Sequence, residues 1–201
     1  MIKLKKNKQM TTIAIVYPYS DENNTMDTLK QLFEKHSLLQ KNKKEIYPQF
    51  LLVPVEKNEN YFSVWANYIV DTYAHLPDFV LFLADDPIKY SKFNTLEEFM
   101  TTLFNDPTVF IDKTKWLTTV KCNGQGFPHH PNLPVKESYQ KVFGGSQPND
   151  QDVYDFVHGG QAFFSQRRIL SRPFPFYSQL KTLLQTQQVD KHSMERLWHY
   201  I

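Results

Sequence analysis

The sequence predicts one α/β domain built on a mixed, mainly parallel sheet, and two observations predict it. Three short apolar runs alternate with two segments of helical spacing, a β-α-β-α-β order. The third run, Phe79-Val80-Leu81-Phe82-Leu83-Ala84, is apolar at every position, as a strand covered on both faces must be. Right-handed crossovers in that order lay the strands parallel.

The first run is Thr12-Ile13-Ala14-Ile15-Val16, ended by Tyr17-Pro18. After a polar turn from Ser20 to Asn24, Met26, Leu29, Leu32, Phe33 and His36 recur at helical spacing. A basic loop over 41–44 leads to Phe50-Leu51-Leu52-Val53-Pro54-Val55. Pro54 donates no hydrogen bond, so this strand lies near an edge or ends early. The next helix carries Tyr61, Val64, Trp65, Tyr68, Ile69 and Tyr73 on one stripe and stops at Pro77.

Thr95-Leu96-Glu97-Glu98 reads as a capping box, with Phe99, Met100, Leu103 and Phe104 inward. Residues 121–150 hold four glycines and four prolines, which predicts a long shaped loop. Gln161-Ala162-Phe163-Phe164 reads as a strand. Pro175 opens a helix with Tyr177, Leu180, Leu183 and Leu184 inward, and Ser193 caps a last helix running to Ile201.

Composition narrows the function classes. Twenty-three Lys and Arg against 21 Asp and Glu leave a net charge of +2, too little for a nucleic-acid surface. The basic run at residues 3–8 reads as a solvated tail over 1–10, ahead of a single domain over 11–201. One cysteine, Cys122, excludes an internal disulfide. No apolar run has the length of a membrane span, and no signal-peptide core follows the basic residues, so a cytoplasmic protein is expected. Sixteen Phe and eleven Tyr are chiefly core material, with sugar stacking as the other use.

Chemistry is expected where the third strand runs into Asp85-Asp86-Pro87, because open parallel sheets bind ligands outside the carboxyl ends of their strands. Paired carboxylates suit Mg²⁺ or Mn²⁺. On the residues alone, an Asx turn or helix cap is the simpler account. No glycine-rich phosphate loop is present, so a bound nucleotide needs its phosphates neutralised in another way. No zinc spacing or nucleophile elbow occurs either. Glu195 and His199 are four apart, a spacing shared by a base-ligand pair and an ordinary helix pair.

A series of short motifs carries a resemblance. Tyr68-Ile69, Tyr73 and Leu76-Pro77-Asp78 precede the third strand, and Cys122-Asn123, Gly126, Pro128-His129-His130-Pro131 and Leu133 follow it. Later come Tyr139, Phe143-Gly144, Gly160-Gln161, Phe163, Ser165, Arg168-Ile169, Arg172-Pro173, Phe176-Tyr177, Glu195, Trp198-His199 and Ile201. Over residues 12–201 the series resembles a glycosyltransferase-like family common in fungi and the small glycosyltransferase domain of chlorella viruses.

The resemblance implies a GT-A fold, with a Rossmann-like nucleotide half and a C-terminal acceptor half around one sheet. It implies Asp85 and Asp86 as the acidic motif holding Mn²⁺ or Mg²⁺, with His199 as a late metal ligand. The acids here are adjacent and not in the strict Asp-x-Asp spacing. The residues after the first strand, Tyr17, Tyr19 and Asp21, would meet the nucleoside together with Asp85.

The expected reaction moves a hexose or deoxyhexose from a nucleotide-diphosphate sugar to a hydroxyl of a glycan or protein-linked glycan. Asp155 or Glu195 would serve as base, and the segment 121–150 would shape the acceptor side. The rival readings are a non-catalytic glycan- or protein-binding module on the same fold, and a phosphoesterase using the same acids.

Overall fold

The computed structural model describes residues 12–19, 27–28, 31–32, 49–56, 60–84, 86–89, 91–105, 119–122, 130–145 and 154–201. The tail 1–10 and the basic loop 41–44 lie outside them. Strands β1 (Thr12–Tyr19), β2 (Gln49–Glu56), β3 (Phe79–Phe82) and β6 (Ala162–Ser165) form one sheet in the order β2-β1-β3-β6. The β1/β2 and β1/β3 pairings are parallel and β3/β6 is antiparallel, so the sheet is mixed and mainly parallel. A separate antiparallel pair joins β4 (Thr119–Cys122) to β5 (Tyr154–Val157).

Both prolines in the sheet stand where a missing donor does least harm. Pro54 lies on β2, at the sheet edge. Pro18 lies past Val16, where pairing with β3 has ended, so β1 runs on to Tyr19 instead of stopping at Tyr17.

The unbroken apolar runs are explained by two cores. On one face Val16, Val80, Phe82, Ala162 and Phe164 pack with α1 (Tyr61–Thr72), α4 (Gln166–Leu170), α5 (Phe174–Gln185) and α6 (Lys191–Leu197). On the other, Ile13, Ile15, Leu81, Leu83 and Phe163 pack with Leu32 and with Phe99 and Met100 of α2 (Leu96–Asn105). Residues 27–28 and 31–32 are helical, as the spacing predicts; Met26, Leu29, Phe33 and His36 lie outside the described residues.

Aromatic packing dominates the first core. Trp65 and Trp198 lie 5.5 Å apart by ring centroid, and both contact Phe62 and Phe82. The buried stripe of α1 is Phe62, Trp65, Ala66 and Ile69. It is rotated from the predicted one: Tyr61, Val64, Tyr68 and Tyr73 are only half-buried, because Phe62 is the ring that faces Trp198. The far end of the sheet is tied by Asp78, whose carboxylate accepts from the Thr12 N–H at 2.7 Å and whose carbonyl accepts from the Gln166 N–H at 2.7 Å.

Three boundaries correct the sequence reading. Residues 121–150 are not one loop: Val135–Phe143 is a helix, α3, with Val135, Ser138 and Val142 buried. Pro134 precedes it and Gly144 (φ +66°) ends it, so two of the eight residues counted as loop markers are the helix's own punctuation. Asp190, not Ser193, caps α6, its carboxylate accepting from the Ser193 N–H at 2.8 Å, and Ser193 is buried within the helix. Finally, α6 ends at Leu197 and continues as a 3-10 turn over Trp198–Tyr200. The capping box at Thr95 is present: its hydroxyl accepts from the Glu98 N–H at 3.1 Å, and Glu98 reaches back to the Asn94 N–H.

Gly160 gives the packing a direct test. Its φ is +66°, and a Cβ there would sit 2.5 Å from the Phe62 ring, itself locked among tryptophans. Gly160→Ala is expected to cost about 2 kcal/mol or more, from left-handed strain plus overpacking. Urea unfolding should show a lower midpoint with an unchanged slope; a wild-type midpoint would contradict this packing.

Candidate functional site at the carboxyl edge of the sheet

The chain passes from β1 to β2 on one side and then to β3 on the other side of β1. The strand order therefore reverses between β1 and β3, and such switch points open a crevice at the carboxyl ends of the strands. Both strands point their carboxyl ends there, and the Leu83 N–H still bonds the Val16 carbonyl at 3.0 Å. Because β6 is antiparallel, its amino end arrives at the same edge. It is preceded there by the turn His158–Gly160 and by Gln161.

Gln161 organises this edge. Its side chain is fully buried. The amide oxygen accepts from the Ala84 N–H at 3.2 Å, and the amide nitrogen donates to the Pro87 carbonyl at 3.1 Å. One side chain thus clamps both ends of the segment that contains Asp85 and Asp86. Both bonds are buried, where an unpaired backbone group is costly. The clamp also explains why β3 ends at Phe82 and not at Ala84.

Asp86 is exposed, and its carboxylate accepts from the Lys89 N–H at 3.2 Å. That is the turn-capping role. Asp85 and Asp21 lie outside the described residues, as do the side chains of Tyr19, Asp155 and His199. By backbone, Tyr19 ends β1, Asp155 pairs with Lys121 across the β4/β5 ladder, and His199 sits in the 3-10 turn after α6. Tyr17 is placed differently from the expectation. Its ring is 1% exposed and shares the second core with Ile13, Ile15 and Leu83, because β1 alternates and Tyr17 falls in register with Ile13 and Ile15.

Glu195 is half-buried on α6, with its two oxygens engaged separately. Oε1 accepts from the Gly159 N–H at 2.6 Å, and Oε2 pairs with the buried Arg196 guanidinium at 2.8 Å. Arg196 also bonds the His192 carbonyl and lies over the Phe156 ring at 4.6 Å. Glu195 and His199 do not share one α-helix, because the helix has tightened to 3-10 geometry before His199.

Gln161, Gly159 and a stacked histidine pair are not among the site residues that the sequence suggests. His130 and His192 stack at 4.7 Å with ring planes 17° apart. Gly160-Gln161 belongs to the motif series, but a single Gln next to two glycines carries no periodic or ligand-spacing signal. The histidines are 62 positions apart and only the fold brings them together.

No family model, curated protein or solved structure matches the chain. Among the described residues no three His, Cys, Asp or Glu side chains converge as a metal-holding group, and no helix is long and apolar enough to cross a membrane.

Two measurements test this geometry. Gln161→Leu removes both clamp bonds and leaves the Ala84 N–H and the Pro87 carbonyl buried without them. A loss on the order of 2 kcal/mol is expected in chemical denaturation, and unchanged stability would show that the clamp is not formed.

The second concerns acid. Burial holds the His192 imidazole below its usual pKa; Asp190 and Glu195 oppose this, while His130 and Lys191 add to it. The unfolded chain takes up that proton at about pH 6.5 while the folded chain resists it. His192 therefore contributes stability above that pH, and the contribution is lost as pH falls towards the depressed folded value. His192→Gln is expected to shrink the drop in Tm between about pH 7.5 and about pH 5.5. An equal drop in both proteins would contradict the assignment.

Proposed function

We propose that the protein is a GT-A-like glycosyltransferase, moving a hexose or deoxyhexose from a nucleotide-diphosphate sugar to a hydroxyl of a glycan. The observation that carries the proposal is the acidic segment after β3, clamped by Gln161 beside the β1/β3 switch point. An acidic segment at such a switch point is where a metal-assisted diphosphate site belongs. The motif resemblance points the same way.

The donor set has the right chemistry for a hard divalent cation: two carboxylates and one imidazole. Asp85, Asp86 and His199 would hold Mn²⁺ or Mg²⁺, and the bound ion would neutralise the departing diphosphate. The chain's own residues then do the positioning. Gln161 keeps the acidic segment against the sheet, and Glu195 holds the Gly159-Gly160 turn. Tyr19 and Asp21 would flank the nucleoside, with the Tyr17 ring serving as packed floor below them. Of the two candidate bases, Glu195 already has an oxygen on Arg196 and one on a backbone N–H, so the proposal assigns proton removal from the acceptor to Asp155. A cytoplasmic location is part of the same reading.

One observation favours a second reading. Asp86 caps the turn at Lys89, as it would in a non-catalytic glycan- or protein-binding module on the same fold.

Calorimetry with nucleoside diphosphates, with Mn²⁺ and then with chelator, separates the two. The transferase reading expects chelator-sensitive binding by the wild type. Asp86→Ala and His199→Ala should each weaken it more than about tenfold at unchanged Tm. Wild-type binding by both variants would overturn the metal site, and no binding by the wild type would leave the module.

A further inference from the structure

The helix α1 has a second stripe that its packing on the sheet does not use. Asn60, Ser63 and Asn67 stand at i, i+3 and i+7, on the side away from Phe62 and Trp65. This stripe faces the connector between α5 and α6 across a cavity of about 640 Å³, with Pro134 also in the lining. Ser63 is 4% exposed, and the Asn67 side-chain oxygen is buried with no hydrogen-bond partner among the described residues.

The opposite wall is also amide-rich, with Gln185, Gln187 and Gln188. Gln187 holds a positive φ of 55°, which a non-glycine residue adopts at a cost and which here turns the connector round the cavity. The charged groups in the lining are Asp190 and Lys191, one of each sign. Asp190 also spends one oxygen on the α6 cap. The lining is thus close to neutral and dominated by groups that each donate and accept. Hydroxyl groups have that same double character, so the lining complements a neutral, polyhydroxylated molecule better than a phosphate or an apolar ligand. A smaller cavity of about 120 Å³ shares Asn60 and Lys191 with the first and adds Tyr61, Phe62, His192 and Glu195. Its half-buried Tyr61 ring supplies aromatic surface for the apolar face of a sugar ring. Through Glu195, which holds Gly159, it also reaches the carboxyl edge of the sheet.

We propose that this cavity binds a neutral saccharide, and that it is the acceptor subsite; the second part rests on the transferase reading. Asn67 and Gln188, which both line the cavity, are the binding residues, offering polar side chains to sugar hydroxyls.

The test is an NMR titration with methyl glycosides and short neutral oligosaccharides of hexoses and deoxyhexoses, without nucleotide or metal. Wild-type protein is expected to show saturable shifts at the side-chain amides of Asn67 and Gln188. Asn67→Leu is expected to lose at least about tenfold in affinity while its Tm stays level or rises, since it removes a buried unpaired oxygen. Gln188→Ala, at an exposed position, gives the same reading should Asn67→Leu fail to fold. Asp86→Ala should bind saccharide as the wild type does. Saccharide binding without any nucleoside diphosphate binding would leave this site standing and remove the transferase. No shift with any glycoside of the panel, shifts confined to another surface, or wild-type affinity in both cavity variants would overturn it.

Discussion

The side chain of Gln161 is the interaction on which the carboxyl edge of the sheet depends. It bonds the backbone on both sides of Asp85-Asp86, and it does so from a fully buried position. Burial is what gives the clamp its force. In water these two bonds would exchange freely with solvent; inside the sheet edge, losing them strands a donor and an acceptor. The position of Gln161 follows in turn from its neighbours. Gly160, against Phe62, allows the chain to turn into β6, and Glu195 holds the Gly159 N–H from the other side. Aromatic packing around Trp65 and Trp198 thus fixes a turn, the turn places Gln161, and Gln161 fixes the acidic segment.

The two-sided core makes this edge possible. A sheet with helices on both faces has only its strand ends left for chemistry. Here both cores mix aliphatic and aromatic side chains. The tether at the opposite edge, Asp78 to Thr12 and Gln166 to Leu76, ties together the other ends of β1, β3 and β6.

The parts of the fold that were legible in the sequence are those governed by periodicity. The apolar runs of β1, β2 and β3, the capping box at Thr95 and the edge placement of Pro54 follow from local chemistry. The helix at Val135 was hidden because its flanking Pro134 and Gly144 were counted with its neighbours' as loop residues. The stripe of α1 was misjudged because Tyr and Phe at adjacent positions satisfy the same pattern, and only Trp198 decides between them. For the site, Asp86 was legible as an acid at a strand end. Gln161 was not, since its partners Ala84 and Pro87 lie 77 and 74 residues away. Tyr17 was placed in the crevice by its sequence position, whereas strand alternation turns its ring into the core.

The claim that the carboxyl edge is a metal-assisted nucleotide site is tested most directly with Mn²⁺ as a paramagnetic probe. Backbone resonances would be followed as Mn²⁺ is added to protein saturated with a nucleoside diphosphate. The expected result is selective broadening at residues 83–89 and 159–161, reversed by chelator. Broadening scattered over surface carboxylates, or centred away from this edge, would contradict the account.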